Sequence, residues 1–271
     1  MRYDHALPLM KSGRAPNGVN LLKEAFFRFS STRPLPQDRA AILMYHSVSP
    51  GVDYFMNVEP DDFERHMAYL AEQKITVIAL SELVARLKAR KPLGGTVVLT
   101  FDDGYRDNYT VAFPILKKYG FPSTIFVTTD MIGKTDKRGL ERLSVAEMKE
   151  MHASGLIDIE PHTKTHPKLA TLPDDVAREE ILGSKRAIEE MLGKSPRLFA
   201  YPYGSFNDST ERLVSACGFD AAVSVPEGTI GPENSLYRLP RNSIDTSTSF
   251  AQFKGKVSTA IDRYQKLKQF I

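Results

Sequence analysis

The sequence is poor in several residues and patterns on which common classes of protein depend. It contains no tryptophan and one cysteine, Cys217, among 271 residues. No disulfide can therefore form within the chain, and the thiol is expected to be a small buried side chain. No run of about 18 apolar residues occurs, so no transmembrane helix is expected. The first residues carry charge but no apolar segment of signal-peptide length, and a cytoplasmic location is the expectation.

Strong net charge and two familiar active-site motifs are also missing. The formal net charge is +3 and no basic patch stands out, so nucleic acid is not an expected partner. The chain has neither the Gly-x-Ser-x-Gly sequence of a serine nucleophile nor the Gly-x-x-x-x-Gly-Lys loop that cradles phosphates. An acyl-enzyme mechanism is therefore not supported.

What the sequence does contain is a regular alternation of strand and helix patterns. Hydrophobic residues make up 42% of the chain, enough for one substantial core. Seven or eight strand–helix units predict an α/β fold, a distorted (β/α)7–8 TIM-like barrel. We expect this barrel to be a single domain over residues 40–271, preceded by an N-terminal extension over residues 1–39. The predicted elements include strands at Ile75–Ala79 and Tyr237–Ile244 and one closing helix at Ser249–Lys268.

Part of the extension, residues 20–29, is amphipathic at helical spacing. The simplest interpretation is a helix packed on the outside of the main domain. Contact with a membrane surface or a lid over the functional site also stays open, because three phenylalanines and two cations within ten residues suit an interface.

The most informative stretch runs from Thr96 to Gly104, an apolar strand pattern that ends in two adjacent carboxylates, Asp102 and Asp103. Neighbouring residues of a strand point to opposite sides, but a glycine at the strand end lets the backbone turn so that both reach one site. Two carboxylates beside a buried strand are costly without a positive partner. A metal ion or a cationic side chain is therefore expected there.

A second informative stretch carries two histidines four residues apart, His162 and His166. If Pro161 begins a helical turn, both imidazoles lie on one side of it. Two histidines and one carboxylate form a common ligand set for a catalytic divalent metal. The alternative is a pair of loop histidines bonded to main-chain carbonyls.

Chemically useful side chains recur where the predicted strands end. They are His46, Asp102, Asp103, His162, His166 and Tyr203. In (β/α) barrels the carboxyl ends of the strands carry the active site. Because these side chains are predicted at the end of the barrel that carries the active site, the sequence predicts an enzyme.

Two of these stretches resemble motifs of a known family. Thr100–Gly104 and His162–His166 are similar to the first two motifs of the polysaccharide deacetylases, the NodB-homology domain of carbohydrate esterase family four, and the resemblance covers about residues 40–245. It implies a distorted (β/α) barrel that hydrolyses N- or O-acetyl groups of sugars with a divalent metal. Zinc is the first expectation, with cobalt, nickel or manganese as alternatives.

The resemblance also implies a role for each motif residue. The implied metal ligands are Asp103, His162 and His166. Asp102 is the implied general base, which takes a proton from the attacking water. Phe199–Gly204 is similar to the family's third motif, and this implies that the main-chain N–H of Tyr203 stabilises the oxyanion.

The third motif departs from the family pattern at Ala200, where an arginine usually orients the general base. Arg241 follows Leu239 and Pro240 at another predicted strand end, and it is the candidate to contact Asp102 from a different strand. The alternative is a surface arginine.

The family's C-terminal motifs, an Asp-Trp pair and a Leu-x-x-His-like strand, are missing after residue 204. The strand Ile42–His46 resembles the last motif moved to the front of the chain, as in the circularly permuted deacetylases similar to the biofilm poly-N-acetylglucosamine enzymes. This implies that His46 is the general acid that protonates the leaving group. The alternative is a histidine bonded to the strand end.

Together these features predict a metal-dependent hydrolase that removes acetyl groups from a sugar or glycan precursor. The expected partner is an acetylated polysaccharide or lipid-linked sugar. Two alternatives stay open. One is an amide or cyclic-imide hydrolase that acts on a small nitrogenous metabolite. The other is a carbohydrate-binding pseudoenzyme, for which Ala200 and the missing tryptophan motif give some reason.

Overall fold

The computed structural model describes residues 18–30 and 33–269, so residues 1–17 and 31–32 of the predicted extension lie outside the described residues. Within them the strands are β1 (Ala40–Tyr45), β2 (Ser47–Val48), β3 (Asn57–Val58), β4 (Thr96–Asp103), β5 (Ser123–Val127), β6 (Ile157–Pro161), β7 (Leu198–Ala200), β8 (Ala221–Val223) and β9 (Asn242–Ser243). The α-helices are α1 (Gly18–Phe29), α2 (Pro60–Glu72), α3 (Leu80–Lys88), α4 (Phe113–Tyr119), α5 (Val145–Ala153), α6 (Asp174–Leu192), α7 (Asp208–Ala216), α8 (Phe250–Lys256) and α9 (Ala260–Lys268). Of these described helices, none combines the length and hydropathy that a membrane crossing needs.

The centre of the fold is a five-stranded parallel sheet in the order β6-β5-β4-β1-β9. β1 pairs with β4 along its whole length, and both strands are buried apolar runs of the kind found in parallel sheets covered on both faces. β7 and β8 form a separate parallel pair, and Val223 of β8 bridges Leu239, shortly before β9. The predicted α/β class with a parallel sheet is confirmed.

The strands β6 and β7 belong to separate sheets, and a side chain of β6 joins them. Glu160 of β6 is 1% exposed, and its Oε2 accepts hydrogen bonds from the main-chain N–H groups of Arg197 and Leu198 at 2.9 and 2.8 Å. The ammonium group of Lys194 donates to its Oε1 at 2.9 Å. Because a buried carboxylate is costly without such partners, these contacts fix β7 against β6.

The predicted strand Ile75–Ala79 is wrong in extent. Only Val77 forms a bridge, to Val97 at the start of β4. The reason lies in the pairing of β4, which is joined to β1 along one side and to β5 from Leu99 onward along the other. Only the first residues of β4 have a free edge, so a further full strand has no place in the sheet.

Two predictions near the C-terminus are also corrected. The strand predicted at Tyr237–Ile244 reduces to the two-residue β9, because Pro240 has no N–H to donate to a ladder. The helix predicted at Ser249–Lys268 is divided into α8 and α9. Between them the Ser258 hydroxyl donates to the carbonyl of Gly255 at 2.9 Å, a bond that competes with continuation of the helix.

The main apolar core lies between the sheet and the helices α2, α4 and α5. Its aromatic centre is formed by Tyr45, Phe63 and Phe101, whose ring centroids are 5.2 to 5.8 Å apart. Cys217 is buried in a smaller cluster that includes Phe219, as expected for a small apolar side chain.

The helix α1 packs against α8 and α9. Phe27 is buried there, with its ring centroid 5.1 Å from that of Tyr264. The carboxylate of Glu24 accepts a hydrogen bond from the Ser249 hydroxyl. The predicted packing of this helix on the outside of the main domain is therefore confirmed, while contact of residues 20–29 with a membrane surface stays a prediction.

A buried histidine beside the core gives the fold a pH dependence. His66 of α2 is 3% exposed, stacks on Phe253 with ring centroids 3.9 Å apart, and places its Nδ1 3.2 Å from the Tyr45 hydroxyl. Burial, with a smaller contribution from the charge of Arg65, lowers the pKa of His66 from 6.5 to about 3. Between these values the unfolded chain binds the proton and the folded chain does not, so acid favours unfolding.

We expect His66→Gln to flatten the acid dependence of stability. In the wild type, this histidine should lower the free energy of unfolding by about 1.6 kcal/mol between pH 6.5 and pH 5, as the slope rises towards about 1.4 kcal/mol per pH unit. Urea titrations of both proteins at these pH values measure the difference. Equal changes in the two proteins would show that His66 is not the group responsible.

Candidate active site

The carboxyl ends of the parallel strands meet at one edge of the sheet, and Asp102 and Asp103 at the end of β4 lie there. The register of β1 and β4 places His46 beside Asp102. Asp103 and Gly104 both take left-handed backbone angles, with φ of 71° and 65°. The turn brings the two carboxylates to one site, since each has an oxygen 3.9 Å from the same nitrogen, Nε2 of His162.

Asp102 forms a buried ion pair with Arg241. The guanidinium Nη1 and Nη2 donate to the two carboxylate oxygens at 2.6 and 2.7 Å, and Arg241 is fully buried. Its Nε donates to the carbonyl of Ser224 at 3.0 Å, which fixes the plane of the guanidinium. Burial opposes ionisation of Asp102, but the charge and the hydrogen bonds of Arg241 outweigh it and hold the pKa of Asp102 below its usual value. Asp102 is therefore a carboxylate at neutral pH.

Asp103, His162 and His166 form a cluster whose donor atoms can converge on one ion. Nε2 of His166 lies 3.2 Å from Asp103 Oδ1 and 3.2 Å from His162 Nε2, and the remaining separation, between His162 Nε2 and Asp103 Oδ1, is 3.9 Å. Zinc–ligand bonds of about 2.0–2.2 Å in a tetrahedral arrangement place neighbouring donors about 3.3 Å apart. The three residues therefore fit a divalent metal ion.

His162 is held in the form that ligates a metal. It is 2% exposed, and its Nδ1 lies 2.7 Å from the carbonyl oxygen of Ala200. Because a carbonyl only accepts, Nδ1 must carry the proton, and the lone pair of Nε2 points to the cluster. Burial lowers the pKa of His162 to about 4, so its ring is neutral at neutral pH, as metal binding requires.

The segment between the two histidines is not the helical turn that the spacing predicts. Pro161 is the last residue of β6, paired with Val127 of β5, so it ends a strand. The chain then reverses through two left-handed residues, Thr163 with φ 63° and His166 with φ 65°. The main-chain N–H of His166 donates to the Thr163 hydroxyl at 3.0 Å. A loop of unusual backbone, and not a helix, brings the imidazoles together.

Tyr203 lies in a short turn directly after β7 and borders the cluster. Its ring centroid is 4.5 Å from that of His166. The residue has a left-handed φ of 58°, and within the described residues its main-chain N–H has no hydrogen-bond partner. A free N–H in this position can serve as a donor to a bound oxyanion.

His46 follows β1 at the same edge of the sheet. Its carbonyl accepts a hydrogen bond from the Asn108 amide at 2.8 Å, and its side chain is half-buried, with no partner for Nδ1 in the part of the chain that the structure describes. The charge of His46 contributes to lowering the pKa of both Asp102 and Asp103. The ring is therefore near the carboxylates without being tied to them by a described hydrogen bond.

Two side chains that support the site were missed in the sequence. Arg142 donates to the carbonyl of Asp103 at 3.0 Å and has the same Nη1 3.8 Å from an oxygen of its carboxylate. Glu180 of α6 accepts hydrogen bonds from Lys164 and Thr165, between the two histidines. Both residues act from segments far away in the chain, and neither stands in a recognisable pattern.

Comparison with known proteins gives a consistent result. Residues 89–222 match the family model for polysaccharide deacetylase. A Bacillus subtilis protein provisionally named as a polysaccharide deacetylase is 33% identical over 78% of this chain and 74% of its own length. The poly-β-1,6-N-acetyl-D-glucosamine N-deacetylase of Staphylococcus epidermidis is 30% identical over 68% of this chain and 67% of its own length.

Solved structures show the same similarity. A Streptococcus pyogenes deacetylase in complex with acetate superposes with a TM-score of 0.74 at 27% identity, over 82% of this chain and 100% of that one. The IcaB protein of Ammonifex degensii superposes with a TM-score of 0.74 at 27% identity, over 83% of this chain and 99% of that one. The fold is thus shared with these deacetylase structures along most of the chain.

Proposed function

Because this chain belongs to the polysaccharide deacetylase family, we propose that it is a metal-dependent hydrolase that removes N-acetyl groups from a glucosamine-containing glycan. The observation that carries the proposal is the cluster of Asp103, His162 and His166 beside the ion pair of Asp102 and Arg241. The glycan class is suggested by the staphylococcal relative, whose name gives poly-β-1,6-N-acetyl-D-glucosamine as substrate. A polymer and a lipid-linked precursor both fit this chemistry.

In the proposed reaction, Asp103, His162 and His166 hold a divalent ion, most simply zinc. When bound, such an ion polarises the acetyl carbonyl and lowers the pKa of a water molecule. Asp102 accepts the proton of the attacking water, and Arg241 keeps that carboxylate ionised and oriented.

The remaining steps fall to two other residues. The main-chain N–H of Tyr203 donates a hydrogen bond to the carbonyl oxygen as it gains negative charge. His46 donates a proton to the sugar nitrogen as the C–N bond breaks. Overall, the amide and one water molecule give acetate and the protonated amine. The proton that Asp102 has taken up returns to His46, so both residues regain their starting states and no further reactant is needed.

The test of the proposal is bound metal per chain, measured by elemental analysis after zinc reconstitution. We expect about one ion per chain in the wild type and none in the His162→Ala/His166→Ala double variant, because two of three protein ligands are lost. Acetate release from N-acetylglucosamine oligomers should be measurable for the wild type alone. Absence of metal from both proteins would overturn the mechanism and favour a carbohydrate-binding protein.

A further inference from the structure

The loop between the two histidines, residues 163–165, is held from both sides. On one side, the turn after β5 supplies donors: the N–H of Thr129 bonds to the carbonyl of Thr163 at 3.1 Å, and the N–H of Asp130 bonds to that of Lys164 at 3.0 Å. The carbonyl groups of the loop are thus anchored to the end of a neighbouring strand.

On the other side, one carboxylate from α6 supplies the acceptors. Oε2 of Glu180 accepts the N–H groups of Lys164 and Thr165, both at 2.9 Å. Oε1 accepts the hydroxyl of Thr165 at 2.8 Å. Because the loop is not helical, these two N–H groups have no helical carbonyl to bond, and Glu180 takes that place. Charged acceptors form stronger hydrogen bonds than neutral ones.

We propose that Glu180 is a positioning residue for the metal site: it holds the loop in the conformation that brings Nε2 of His162 and Nε2 of His166 to within 3.2 Å of each other. The left-handed angles of Thr163 and His166 are unfavourable for residues other than glycine, and they persist only where the surrounding structure imposes them. Glu180 imposes them through three hydrogen bonds. This inference rests on the metal site of the proposed function. It identifies Glu180 as a residue that determines how tightly that site binds its metal ion.

The chain offers a matched control at the next position. Glu179 has the same charge and lies on the same helix, but its side chain is 61% exposed and it contacts the loop only through the ammonium group of Lys164, at 3.1 Å. A general effect of negative charge near the loop would be shared by both residues. Of the two glutamates, only Glu180 accepts hydrogen bonds from the main chain of the loop.

The experiment measures the dissociation constants of zinc and cobalt for metal-free protein, by competition with a chelator. Glu180→Ala should weaken binding about 10- to 100-fold, the usual effect of losing a group that orients a ligand. Glu180→Gln should stay within about threefold of the wild type, because its amide oxygen can accept both N–H groups. Glu179→Ala should leave the constant unchanged.

Cobalt adds a readout that a merely structural role would not change, since its visible absorption reports the geometry of the ligands. We expect an altered spectrum for Glu180→Ala and a restored one for Glu180→Gln. If Glu180→Ala does not fold, Thr165→Val removes one of the three hydrogen bonds to Glu180 and should weaken metal binding about two- to fivefold, because the two bonds to the main-chain N–H groups remain.

Two results would overturn the proposal, and they are distinguishable. Wild-type affinity and spectrum in folded Glu180→Ala, or in Thr165→Val if it must replace that variant, would show that the loop holds its shape without this carboxylate. A wild-type protein that binds neither metal would overturn the proposed function and the role of Glu180 with it.

Discussion

Replacing Asp102 by asparagine is expected to lower kcat for deacetylation about 10²- to 10⁴-fold, the usual contribution of a general base. The amide cannot accept a proton from water at neutral pH, while its size is that of the carboxylate. Metal content should stay near one ion per chain, because Asp102 is not among the three residues of the metal cluster. Acetate release with saturating substrate gives kcat, and elemental analysis gives the metal content.

A second aspartate–arginine pair provides the control. Asp220 accepts a hydrogen bond from Nε of Arg197 at 2.6 Å, but it precedes β8 and so lies at the end of the strands opposite the site. Asp220→Asn should keep wild-type kcat. An Asp102→Asn enzyme with full activity and full metal content would assign the base to another group.

The second large effect is on stability. Arg241→Met should lower the free energy of unfolding by about 3–5 kcal/mol, because it leaves a buried carboxylate without its counter-charge. Arg241 is fully buried and Asp102 is 3% exposed, so water cannot replace the two hydrogen bonds. Urea unfolding in the presence of a chelator measures this loss without a contribution from metal binding.

Two further variants separate this loss from a general effect of removing an arginine. Arg238→Met removes an exposed arginine that pairs with Asp208 and Glu211 at the surface, and the free energy of unfolding of this variant should stay near the wild-type value. The double variant Asp102→Leu/Arg241→Met should recover part of the stability, since it leaves no unpaired charge. Equal stability of Arg241→Met and Arg238→Met would contradict the assigned energetic role of the buried pair.

Much of the candidate site could be predicted because strand ends are visible in the sequence. The apolar run before Asp102 and Asp103 is long and β-branched, and the structure has a strand there, Thr96–Asp103. Parallel strands align their carboxyl ends, so the residues after each strand meet at one edge. Arg241 does not follow this rule: it directly precedes β9, and its long side chain reaches Asp102 at the end of β4.

What could not be predicted depends on contacts between distant segments. The spacing of His162 and His166 is compatible with a helix, and the sequence carries no sign of the left-handed angles at Thr163 and His166. Those angles are maintained by partners from the end of β5 and from α6, which no local pattern specifies. Similarly, β4 had no edge for a full strand at 75–79 because β5 occupies it.

The position of Arg241 in the chain also bears on the order of folding. The pair of Asp102 and Arg241 joins residues 139 positions apart, whereas Asp102 and its β5 partner Phe126 are much closer in the chain. Closing a long loop costs more chain entropy than closing a short one, and contacts of large sequence separation slow folding. During synthesis, β4 emerges well before its arginine does. The carboxylate proposed as the catalytic base therefore gains its counter-charge only after most of the barrel has been made.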